Sequence, residues 1–352
     1  MSGFISGRGK RLTTKRLVTV LSLCLLVFAI VCVLAPLFGI SYGRDGRHFE
    51  LLGLDAFTTD GDAHTILWVR IPRVLASMIV GGALAGAGCA LQALLRNPLA
   101  DPFTLGISSG SSLAAVVAIR LGIEGALGDN GVGIAALFGA FGTLLLVSRL
   151  AKIGSQLPPA TLVLAGVTVS MWCSAASVLI QYTSDFAEVS HMLRWMMGSL
   201  DSIRLDPVRF AAPWLLAGLV VLCAYGREMN ALAAGPEAAA SVGVSVARTQ
   251  FVVFMLSSLL VGGAIALAGP IGFIGLIVPH TLRALIGPDH RVLLPASILG
   301  GAILLVLCDT LARTVVAPAQ LPTGAVTAVL GGPLFVSILI RQKQRAAMWG
   351  RG

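Results

Sequence analysis

Nine stretches of 17 residues or more in this 352-residue chain contain no Asp, Glu, Lys or Arg: residues 17–43, 74–95, 102–119, 130–148, 153–184, 210–226, 249–282, 292–308 and 314–340. About 20 apolar residues in helical form cross the hydrocarbon of a bilayer. The rest of the composition agrees with that reading. Hydrophobic residues make up 56% and charged residues 12%, roughly half the charge of a soluble domain, and the mean hydropathy is +0.90. Forty-one glycines with only 6% aromatics favour close-packed helices over a barrel with aromatic girdles. The predicted fold class is all-α, a polytopic integral membrane protein.

The stretch from 249 to 282 is too long for one helix, and Gly269-Pro270 sits where a break is needed. Dividing it there gives about ten transmembrane helices. Pro158-Pro159 sets the start of the helix in 153–184, because proline suits a first turn and interrupts an interior. Leu17–Ile40 follows Arg8, Lys10, Arg11, Lys15 and Arg16 and is too long for the apolar region of a signal peptide, so it is read as a retained first span.

With ten spans and the basic tail 1–16 inside, both termini are cytoplasmic. Sixteen of the 25 Lys and Arg then fall inside, against four of the 16 Asp and Glu, which satisfies the positive-inside rule. The net charge of +9 is therefore a membrane-topology signal and implies no nucleic-acid partner. Residues 80–88 (VGGALAGAG) match residues 261–269 (VGGAIALAG) at seven of nine positions, and Pro98 and Pro279 follow at the same offset of 181. The first copy would run inward and the second outward, so the chain is expected to hold inverted repeats.

Nothing in the sequence points to catalysis. His48, His64, His191, His280 and His290 lie in no metal-binding spacing, the six cysteines sit inside apolar runs, and no GxxxxGK[ST] loop is present. No cofactor is expected on this chain, and ATP-derived energy would have to come from a partner. Span interiors are almost free of charge; Asp309 is the exception, and Arg313 four residues on supplies a helical ion pair. A coupling carboxylate at Asp309 would instead indicate an ion-driven secondary transporter. Residues 229–243 are alanine-rich and too polar to span. They read as two short helices broken at Gly235-Pro236, with Glu237 in the second helix's first turn and Gly243 at its stop.

Four ordered motifs carry a family resemblance. Arg70-Ile71-Pro72-Arg73 precedes the second span, and residues 92–102 read QALLRNPLADP. Glu237-Ala238-Ala239 with Gly243 follows, and residues 269–280 (GPIGFIGLIVPH) with Leu321-Pro322-Thr323-Gly324 complete the set. Together these resemble the FecCD-type permeases of ABC importers, over nearly the whole chain after residue 60. The resemblance implies a type II importer permease fold as a single domain, residues 1–352, with a cytoplasmic coupling loop at 227–248. It implies a substrate among iron(III)-siderophore, haem and cobalamin, two ATPase subunits that use ATP and Mg, a second permease subunit in a homodimer or in a heterodimer with a similar permease, and a periplasmic binding protein, in a bacterial inner membrane. Coupling to the ATPase falls on Glu237, Ala238, Ala239 and Gly243, and binding-protein docking on Arg70, Arg73 and Arg313. The cytoplasmic gate matches Gly154, Ser155 and Gln156 by position. Asn97-Pro98 reads as a tight connection, Ser108 or Ser109 as a helix cap, and His280 as a hydrogen-bonded structural residue.

Overall fold

The computed structural model describes residues 14–43, 46–51, 62–123, 130–154, 156–201, 203–317 and 319–349. The basic tail before Thr14, and Ser155 of the gate segment, lie outside them. The chain enters on α1 (Thr14–Leu37), forms a hairpin of β1 (Phe38–Gly43) and β2 (Gly46–Leu51), and continues into α2 (Asp62–Leu94). A 3-10 turn (Pro102–Leu105) leads to α3 (Ile107–Arg120), then α4 (Gly131–Ala151), α5 (Pro159–Tyr182), the short α6 (Phe186–Met196) and α7 (Leu205–Ala224). Two short helices, α8 (Gly226–Ala234) and α9 (Pro236–Ser241), precede α10 (Val246–Ala268), α11 (Ile274–Ile286), α12 (His290–Thr314) and α13 (Thr323–Trp349).

Six of these helices are long and apolar enough to cross a membrane, and four more contain shorter apolar segments, in line with ten spans. The breaks fall where backbone chemistry puts them: Pro159 opens α5, and Gly269 ends α10 with φ +67. Several boundaries differ from the sequence expectation. Arg70 and Arg73 lie inside α2 rather than before it. The first helix stops at Leu37, and Phe38–Gly43 pairs antiparallel with Gly46–Leu51. The last span begins at Thr323, and residues 309–314 belong to α12. In α2 and α12 a charged residue marked the edge of an apolar window, but Arg73 and Asp309 pair with each other and both helices run on past them. Neither Ser108 nor Ser109 caps α3; Gly106, at φ +81, supplies the turn. The connection 185–204 contains α6, held by a capping box in which Asp185 and Glu188 each accept the other's backbone N–H.

Burial divides the helices into a centre and a shell. The apolar window of α2 is 83% buried and those of α10 and α12 are 61% buried, whereas α5 and α7 bury 28%. α2 packs on α12, α10, α11 and α7. At its closest approach to α12, a Cβ placed on Gly81 would collide with the Gly301 carbonyl, and the reverse also holds. Backbone meets backbone there, an approach that only glycine permits. The shell helices present large apolar residues outward, including Phe138, Met171, Trp172 and Val220, as helices facing lipid or a second subunit do.

Candidate functional site

α12 connects two polar clusters at its opposite ends. At its start, Asp289 caps the helix by accepting from the Arg291 backbone N–H at 3.1 Å. Arg291 also closes on the same carboxylate through Nε and Nη2, the latter at 2.6 Å. The Arg291 side chain beside it, helped by Asn230, holds the Asp289 carboxyl well below the usual carboxylate range. Asn230, on α8, donates from Nδ2 to Asp289 at 2.7 Å and accepts the His290 backbone N–H on Oδ1 at 2.8 Å. One asparagine thus ties the first of the two short helices to the first turn of α12.

The helix pair itself has the geometry read from its sequence. Gly235 separates α8 from α9, Pro236 opens α9, and Gly243 follows its end with φ +83. Glu237 and Ala238 are exposed, as is Gly243, and Val242 is 69% exposed. Ala239 is fully buried, so it packs the pair onto the bundle and the free face is formed by Glu237, Ala238 and Val242. No sequence signal singled out Asn230 or Val242.

At the far end of α12, Asp309 is 1% exposed. Arg73 donates Nε to both of its oxygens, at 2.8 and 2.9 Å, and the Thr323 hydroxyl donates at 3.0 Å. Arg313 approaches the same carboxylate to 3.3 Å as an i,i+4 ion pair. Arg73 further donates Nη1 to Gln320, and its Nη2 lies 3.1 Å from Asp201. The cluster joins α2, α12, the start of α13 and the α6–α7 connection. Arg70 and Arg313 also reach the end of α1, donating to the carbonyls of Pro36 at 3.2 Å and Ala35 at 3.3 Å. Those are last-turn carbonyls that a helix leaves unpaired, and the guanidinium charge suits that end. The three arginines named from sequence therefore gather at one end of the bundle. Arg73 is 5% exposed and Arg70 only half-buried, so they do not present equal surfaces.

Gly154 and Gln156 are exposed in a tight turn between α4 and α5, where Ile153 and Gln156 exchange backbone hydrogen bonds at 3.1 Å. Gln250, in the first turns of α10, accepts the Leu157 N–H at 3.4 Å, which places the turn at the same end as the short helix pair. His280 hydrogen-bonds the Pro98 backbone, the structural role read for it. Gln92 accepts from Arg283 at 2.8 Å, fixing α2 to α11 beside it. In the other half of the bundle, a cavity of about 350 Å³ is lined by Ser108, Ser112, Ser174 and Gln181 together with Met196 and Met197. Its lining is neutral throughout.

Residues 15–341 match the model of the FecCD transport family. The chain is 39% identical over 290 residues to the hemin transport system permease protein HmuU of Yersinia pestis, covering 82% of this chain and 86% of that one. It is 37% identical over 327 residues to the vitamin B12 import system permease protein BtuC of Shigella boydii, covering 92% and 95%. Among solved structures, one described as an inward-facing conformation of a metal-chelate type ABC transporter superposes with a TM-score of 0.79 at 30% identity, covering 92% of this chain and 99% of that one. With a neutral multi-helix bundle, a short exposed helix pair at one end and an arginine cluster at the other, the chain belongs to the FecCD family of ABC importer permeases.

Proposed function

We propose that this chain is the membrane subunit of an importer that carries an iron(III)-siderophore complex across a bacterial inner membrane by ATP-driven alternating access. A periplasmic binding protein delivers the chelate at the arginine end. Two ATPase subunits, using ATP and Mg, engage the exposed face of α8 and α9 in the cytoplasm, where both termini also lie. A second copy of the permease completes the pathway, and the turn at Gly154, Ser155 and Gln156 lies at its cytoplasmic exit. Haem or cobalamin is the second reading, supported by the relatives named for hemin and vitamin B12 transport.

One observation carries the reading: the helix that Asn230 ties to the coupling pair ends at the carboxylate that holds Arg73 and Arg313. Movement of α8 is thereby delivered to the docking end along one helix. Glu237 and Ala238 offer an exposed contact without adding to the core, which suits a surface that follows a partner's motion. Span interiors almost free of charge suit a bulky cargo that must pass without being retained, since tight binding along the way would slow release.

The test is purification of the tagged permease with the products of neighbouring genes in native lipid. ATPase activity is then measured with binding protein loaded in turn with ferric siderophore, haem or cobalamin. Stimulation by one loaded form supports the importer and names the cargo. Absence of an associated ATPase would sink the reading and redirect attention to Asp309 as an ion-coupling carboxylate, with transport by Asp309→Asn as the deciding assay.

A further inference from the structure

Arg73 is the most deeply placed of the three outer arginines, and its donors are unequally satisfied. Nε is fully engaged by the two oxygens of Asp309, and Nη1 by Gln320. Nη2 lies 3.1 Å from Asp201 but is buried without a hydrogen bond of proper geometry. The contact is therefore an ion pair by distance and not an aligned N–H to oxygen bond. A buried guanidinium nitrogen left in that condition retains capacity for a better-aimed acceptor.

Asp201 is suited to giving way. Its side chain is 39% exposed against 6% for Arg73, so its charge is readily solvated when released. It sits in the turn after α6, where its own N–H donates to the Ser199 hydroxyl at 3.2 Å. That turn is fixed independently of the ion pair: Ser199 N–H donates to Ala268 at 2.9 Å, Gly324 N–H to Gly198 at 2.9 Å, and Leu200 is fully buried. Letting go of Arg73 would not unfold it.

We propose that Asp201 is an exchangeable counter-ion. It occupies Nη2 of Arg73 in the undocked permease, and a carboxylate of the binding protein takes its place on docking. This rests on the importer reading above and adds to it an affinity-setting residue that opposes docking. Removing Asp201 leaves Asp309 as the acidic partner of Arg73 and Arg313, so the pocket becomes more attractive to an incoming acid.

The experiment measures docking of the binding protein encoded beside the permease, loaded with ferric siderophore, haem or cobalamin, to the complete transporter in nanodiscs. Asp201→Asn should lower Kd about two- to fivefold, the range of an exposed ion pair, and steepen the salt dependence of the association rate. Asp201→Glu should dock like the parent, and in an Arg73→Gln background Asp201→Asn should make no difference. Unchanged or weaker docking by Asp201→Asn, with the parent docking normally, would overturn the counter-ion while leaving the importer reading intact. If the parent itself fails to dock with any loaded form, both fall. A gain that persists in the Arg73→Gln background would also overturn the proposal, because Asp201 would then act through something other than Arg73.

Discussion

The two ends of α12 each hold a carboxylate beside an arginine, yet by opposite means. Asp289 faces Arg291, whose side chain is 58% exposed, and shares its load with a neutral asparagine. Asp309 is 1% exposed and faces two arginines that are themselves more than nine-tenths buried. Near water, each partner can be lost at modest cost because solvent replaces it. In the interior, no solvent stands by, and a missing partner leaves a bare charge. The first arrangement tolerates repeated rearrangement. The second fixes where three helices end.

This contrast breaks first at Asp309. Asp309→Ala strands Arg73 and Arg313, and should cost about 3–5 kcal/mol, read as poor recovery from the membrane or a sharply lowered melting temperature in detergent. Asp309→Asn keeps the shape and one acceptor and should lose less. If the alanine variant melts like the parent, the buried cluster does not hold the helix ends. Next in size is Asn230→Ala, which leaves Asp289 and the His290 N–H each short of a partner. A loss of about 1–3 kcal/mol is expected, with transport-coupled ATPase stimulation falling further than stability does. Equal falls in both would show that the asparagine only supports the fold.

A third prediction concerns Asp101, in the connection before α3. Burial raises its carboxyl from 3.8 to about 6, against a smaller opposing effect from the Phe103 N–H it accepts. A carboxyl raised in the folded state favours folding most when protonated, so stability falls as pH rises from about 4 through 6. Asp101→Asn keeps an acceptor and should melt higher than the parent at pH 8, by about 1–3 kcal/mol, with the difference gone at pH 4. No difference at pH 8 would mean the charge is already well solvated. The smallest effect belongs to Arg291→Ala, where Asn230 and the helix N-terminus still hold Asp289: the melting temperature should not move. A clear drop would make the two ends of α12 alike.

Much of this is legible in the sequence. Windows without charge located the helices, and Gly269-Pro270, Pro159 and Gly235-Pro236 placed the breaks, because these residues act through their own backbone. The i,i+4 pair of Asp309 and Arg313 was legible for the same local reason. The Arg73 bond to Asp309 spans 236 residues, and no local pattern announces it. Treating Arg70 and Arg73 as the edge of an apolar window hid the first turns of α2, since only the tertiary partner explains how an arginine sits in a helix there. Asn230 carries no signal of its own, because an asparagine in an alanine-rich loop resembles ordinary turn chemistry until α12 stands beside it. β1 lies inside the window 17–43, where counting charges cannot tell strand from helix, and β2, which carries Arg47 and Glu50, lies outside every window.

The contact of Gly81 with Gly301 has a consequence for how the bundle responds to force. Side chains yield by changing rotamer, and a layer of them between two helices absorbs displacement as a soft washer would. At this crossing no washer exists. α2 and α12 bear directly on each other, so a push received at one end of the pair is spent on moving both helices and is not dissipated between them.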